Sequence, residues 1–136
     1  MMEVGRAVAV FDPYDWLPGY GENGVELRAQ GGDLSVVISY DGEHCELKKE
    51  FFFKHAVAFF KASFPGPGML NMQCSVKDTG SIGTLKECPD SEAAKAWRAH
   101  FNEEVNINHY SIVFLSENIT LVVFAEEVIL RDVVVE

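Results

Sequence analysis

Alternation of apolar and polar positions is clearest over residues 25–53. Val25, Leu27 and Ala29 alternate with Glu26, Arg28 and Gln30, and Leu34, Val36, Ile38 and Tyr40 alternate with Asp33, Ser35, Val37 and Ser39. A period of two is the mark of a half-buried strand. Gly31-Gly32 supplies a tight connection, and Asp41-Gly42 offers the positive-φ residues favoured in a second hairpin turn. A third strand follows, with Cys45, Leu47, Lys49 and Phe51 on one face and His44, Glu46, Lys48 and Glu50 on the other, facing water. The pattern predicts a three-stranded meander.

Residues 51–64 carry two periods at once. Phe53, Val57, Phe60 and Phe64 share a helical stripe, whereas Ala56, Ala58, Phe60 and Ala62 alternate as in a strand. Phe favours strands, and a bend at Lys54-His55 lets the sheet continue, so a strand is expected. Pro65-Gly66-Pro67-Gly68 ends it. A further strand is expected over 69–76, then a polar, Gly-rich loop over 77–89. Asp90 or Ser91 can cap a helix near 91–102, in which Ala93, Trp97, His100 and Phe101 form an apolar stripe and Trp97 and Phe101 anchor it to the sheet. Last comes a hairpin over 107–130, turning at Ser116-Glu117-Asn118 and largely apolar on both faces, which requires cover on both sides.

These elements define an α+β fold, mainly antiparallel, with one packed helix. At 136 residues, 48% hydrophobic with ten Phe, the chain suits a single domain over 1–136 with ample core material. The opening run, residues 7–11, is broken by Asp12-Pro13 and lacks a signal-peptide cleavage pattern, and no apolar run approaches the ~20 residues of a membrane span. A cytoplasmic location is expected, with Cys45, Cys74 and Cys88 as thiols.

Charge narrows the partners. The net charge is −10; residues 1–23 carry four carboxylates against Arg6, and residues 103–136 carry seven against Arg131. Such a surface repels nucleic acid and favours basic partners.

The chemistry-bearing spellings are weak. Gly19-Tyr20-Gly21-Glu22-Asn23-Gly24 matches a dinucleotide loop, but Pro18 precedes it, a strand follows it and Glu22 repels phosphate. His44, His55, His100 and His109 have no metal-ligand spacing. No metal or cofactor is implied. His109 and Ser111 share a strand face, which reads as a polar patch in a sheet, and Asn118-Ile119-Thr120 reads as turn chemistry. Glu126-Glu127 interrupts the apolar run of the last hairpin, as a bulge or a charged site does. Asp12, Tyr14, Asp15, Trp16 and Tyr20 crowd a segment too rich in Pro and Gly for regular structure. Such aromatics make good interface anchors, and Trp16 serves equally well as a lid on the core.

The candidate binding residues are therefore Asp12, Tyr14, Asp15, Trp16, Tyr20, Glu126 and Glu127. They suggest a non-enzymatic acidic module that binds a basic protein. In overall character the chain resembles small acidic proteins that neutralise basic effectors, such as bacterial immunity proteins, although no motif ties it to a family. The alternative is a small-molecule binder or enzyme with a Phe-lined pocket between sheet and helix, using His109, Tyr110 and Glu126 or Glu127. A third arrangement is a homodimer through an edge strand at 7–11 or 133–135.

Overall fold

The computed structural model describes residues 3–66 and 82–134. They form antiparallel strands in two sheets, with one α-helix. The strands are β1 (Val8–Phe11), β2 (Gly24–Gln30), β3 (Asp33–Asp41), β4 (Glu46–Lys54), β5 (Ala58–Ser63), β6 (Leu85–Glu87), β7 (Asn108–Phe114), β8 (Ile119–Ala125) and β9 (Glu127–Val133), and the helix is α1 (Glu92–His100). One sheet runs β1-β6-β7-β8-β5 and the other β2-β3-β4-β9.

The inner faces of the two sheets share one core. Leu34, Val36 and Ile38 of β3 and Phe51 and Phe53 of β4 meet Tyr110, Ile112 and Phe114 of β7 and Leu121, Val123 and Ala125 of β8. The alternating residues of the meander explain this, because each strand sends one set inward and the other to the outer face. On the far side of the five-stranded sheet, Val122 and Phe124 pack with Ala93, Trp97 and Phe101 of the helix region. The double-sided apolar character of β8 is thus satisfied by the second sheet and the helix. A nine-residue helix has little stability of its own, so this packing sustains it. Ser91 caps it, its Oγ accepting from Ala94 N at 3.2 Å.

Residues 51–64 are two strands joined by a bend. β4 belongs to one sheet and β5 to the other, and His55, at φ 53°, lies between them. The last hairpin is shorter than its apolar pattern suggests. β7 and β8 pair from Asn108↔Ala125 to Phe114↔Ile119, then the chain crosses to the other sheet at Glu126 and pairs with β4 as β9. Glu126-Glu127 therefore marks a change of sheet.

Three further expectations meet the structure differently. The meander's second turn spans 42–45, and Gly42 is not at positive φ; a Cβ there would lie 2.7 Å from Leu47 Cδ1 and 2.8 Å from the Cys45 carbonyl, so space demands the glycine. Part of the expected loop at 77–89 is β6, which is held between β1 and β7 despite its brevity. The strand expected over 69–76 lies outside the described residues. Cys45 is a free, exposed thiol, whereas Cys88 is buried and disulfide-bonded rather than a thiol. No helix among the described residues is long and apolar enough to cross a membrane.

Two outcomes follow from this packing. Phe51→Ala removes a fully buried ring shared by both sheets and should lower the unfolding free energy by about 3–5 kcal/mol in urea titrations. Iodoacetamide applied to the native protein without reductant should label Cys45 and spare Cys88, as read by peptide mass spectrometry.

Candidate functional site

The seven sequence candidates fall at two ends of the molecule. β4 is nine residues long, so its ends stand roughly 26 Å apart at ~3.3 Å per residue. Tyr20 reaches Asp41, which pairs with Glu46 at the start of β4, while Glu127 pairs with Lys54 at its finish. The aromatic loop and the Glu126-Glu127 pair do not form one surface.

At the first end, residues 12–23 close the sandwich. Asp12 accepts from Tyr14 N at 3.0 Å and caps a 3-10 turn over Pro13–Asp15, leaving Asp12 and Asp15 exposed. Trp16 turns inward, its ring centroid 5.0 Å from that of Tyr40 and 6.5 Å from that of Phe51, with Lys49 Nζ 5.7 Å from the indole centroid. Trp16 is half-buried, with its indole packed over the core. Tyr20 points the other way and is 66% exposed. Its hydroxyl donates to Asp41 Oδ2 at 2.6 Å, and Asn23 Nδ2 donates to Asp41 Oδ1 at 2.6 Å and to Glu46 Oε2 at 3.2 Å. The backbone of the same residue is tied down too, since Ser116 Oγ donates to the Tyr20 carbonyl at 3.1 Å.

Tyr20, Leu47 and Leu115 are all exposed hydrophobic side chains, and Asp15, Asp41, Glu43, Glu46 and Glu117 belong to the same loop and turns. Sequence reasoning missed Asp41 and Glu46 because the β3–β4 turn, not chain proximity, brings them to the Tyr20–Asn23 segment. Asp41-Gly42 was visible as a turn, and its carboxylate was the available signal.

At the other end, Glu126 Oε2 stands 3.8 Å from His55 Nδ1, and the Glu126 backbone bonds Lys54 O and the Asn108 side chain. Glu127 is exposed on β9. His109 and Tyr110, which the small-molecule alternative set around one pocket, face opposite sides of β7. Tyr110 enters the inter-sheet core, whereas His109 is fully buried beside Phe124, with Nδ1 2.7 Å from Ser91 Oγ. A buried Ser-His contact that no substrate reaches binds the helix start to β7.

The outer face of the four-stranded sheet carries an open groove of about 290 Å³ lined by Arg28, Gln30, Asp33, Ser35 and Phe52. Two of its polar groups are already engaged, Arg28 by two bonds to Glu26 and Asp33 by accepting from His55 N, and Arg131 pairs with Glu50 while lying over Phe52. Among the described residues no group of three or more His, Cys, Asp or Glu is placed to hold a metal ion. Comparisons with protein-family models, curated proteins and solved structures return no match to this chain.

The bond to Asp41 raises the Tyr20 pKa above the usual phenol value, and the same bond, with that from Asn23, lowers the pKa of Asp41. Asp41 thus adds stability above the ordinary carboxylate range that is lost as pH falls through its folded value. Tyr20 adds stability below the ordinary phenol value that is lost as pH rises through its own folded value. Burial first, then Glu87 and Glu127, push Tyr110 up to about 12. In titrations followed by phenolate absorbance, Asp41→Asn should lower the Tyr20 midpoint towards the normal phenol value and leave Tyr110 unmoved.

Proposed function

We propose that this protein is a non-enzymatic interaction module whose loop-closed end binds a basic protein partner. One observation carries the reading: Tyr20 is two-thirds exposed yet fixed through its hydroxyl by Asp41 and through its carbonyl by Ser116, amid carboxylates. Held in place, an aromatic ring loses little conformational entropy on binding and offers a large amphipathic contact. Carboxylates around an apolar centre speed the approach of a basic surface and reject acidic ones.

The net charge of −10 supports the same reading, as does the exposure of Leu47 and Leu115. The groove on the outer sheet face gives the small-molecule alternative less support, because an incoming ligand would have to displace internal ion pairs and hydrogen bonds. Within this proposal the binding residues are Tyr20, Asp15, Asp41 and Glu46, with Trp16 as the support beneath them. Glu126 and Glu127 lie apart from this surface.

Affinity purification of the tagged protein from its native host, at low and moderate salt, tests the proposal. A basic protein should be retained stoichiometrically, released as salt rises, and lost from a combined Asp15→Asn, Asp41→Asn and Glu46→Gln variant. The Glu126→Gln, Glu127→Gln variant should retain it. Undiminished retention by the triple variant would sink the proposal.

A further inference from the structure

The edge strand β2 carries none of the usual devices that keep sheet edges apart. It stands at one end of the order β2-β3-β4-β9, pairs with β3 alone among the described residues, and keeps an unbroken register from Gly24↔Ser39 to Gln30↔Asp33. Its seven residues, Gly24-Val25-Glu26-Leu27-Arg28-Ala29-Gln30, include no Pro and no Lys, and no bulge interrupts them. Such an edge offers a row of backbone donors and acceptors to another strand. Val25 and Leu27 are only partly buried against the core, and Glu26, Arg28, Ala29 and Gln30 are exposed. Two of the other edges are blunted: β1 loses its register between Ala9 and Phe11, and β5 presents the exposed Lys61.

We propose that β2 pairs antiparallel with β2 of a second copy of this chain, centred on Leu27, to give a two-fold dimer with one continuous eight-stranded sheet. The charges of the strand are symmetric about that centre. Leu27 falls opposite its own copy, Val25 opposite the partner's Ala29, Glu26 opposite the partner's Arg28, and Arg28 opposite the partner's Glu26. Within one chain Arg28 already donates to Glu26 from Nε at 3.0 Å and from Nη2 at 2.9 Å. A guanidinium has five donors, so the same group also serves the partner's carboxylate, and the two-fold axis closes four alternating charges into a network. Networks of this kind hold better than isolated surface pairs. On the inner face the two Leu27 side chains continue the core row from one copy into the next. Two chains of charge −10 repel each other, and β2, with one Glu against one Arg, joins them where charge is balanced. β9, the other edge of this sheet, has no such symmetry, since centring it on Leu130 sets Arg131 against Ile129. The inference does not rest on the basic-partner reading, whose residues exclude Glu26 and Arg28.

Sedimentation velocity of the full chain over a concentration series tests the dimer. Wild type should pass from monomer to dimer as concentration rises. Arg28→Glu sets Glu against Glu twice and Glu26→Arg sets Arg against Arg twice, so each alone should weaken the dimer by about tenfold or more. The two substitutions move the net charge in opposite directions, which separates opposed pairs from general repulsion. An equal mixture of the two variants restores both opposite-charge pairs and should form a heterodimer, and the doubly substituted Glu26→Arg, Arg28→Glu chain should dimerise to within about threefold of wild type. Both side chains are exposed, so the urea midpoints of the variants should match that of wild type. Wild type that stays monomeric throughout, a dimer that Arg28→Glu leaves unchanged, or a mixture of the two variants that stays monomeric each overturns the proposal.

Discussion

The structure depends on two strands turning the same corner together. β4 passes into β5 through residues 55–57 and β8 passes into β9 through Glu126, while β4 pairs with β9 and β5 with β8. A paired ribbon therefore runs from one sheet into the other, and the backbone bonds Glu126 N to Lys54 O and Val57 N to Phe124 O continue through the bend. Backbone donors stay satisfied where a sheet change would otherwise strand them. His55 in the left-handed region supplies the sharp turn, and Asp33 accepts from its N–H at 3.0 Å. Because the corner fixes the two sheets face to face, the inward rows of β3, β4, β7 and β8 meet in one core.

Among the described residues the opposite end has no such ribbon and carries the 12–23 loop. Trp16 and Leu17 pack against the core there, while Asp12, Asp15 and Tyr20 are exposed. The division of labour along 12–23 follows directly: Trp16 covers Tyr40 and Phe51, Glu22 is buried, and Tyr20 is displayed. An irregular segment suits this because its side chains need not alternate between two faces as a strand's must.

Legibility in the sequence followed the strength of local periodicity. The 25–53 meander was readable because each strand has one wet and one dry face, and β3 and β4 keep that register through Leu34↔Phe53 and Val36↔Phe51. The capped helix was readable from Ser91, Trp97 and Phe101. The break between β8 and β9 was not, since Ile119 to Leu130 is apolar whether it lies in one sheet or two, and only Glu126-Glu127 interrupts it. β6 escaped notice because three residues, two of them charged, carry no period, and its pairing with β1 and β7 alone makes it a strand. Of the candidate site, the aromatic loop was legible by composition. Its partition into lid and display was not, because Tyr40, Asp41, Phe51 and Ser116 lie far away in sequence.

Several of the molecule's carboxylates are paired internally and others are not. Glu26 is held by Arg28 and Glu50 by Arg131 on the outer sheet face, Lys49 is matched to Asp132, and Glu126 sits beside His55. Asp41 and Glu46, by contrast, accept from neutral donors, Tyr20 and Asn23, which orient the carboxylates without cancelling their charge. Exposed charge that is already paired inside the molecule attracts a partner weakly, whereas oriented and uncompensated charge retains its full field. Asp41 and Glu46, oriented by Tyr20 and Asn23, thus keep their charge at the loop-closed end.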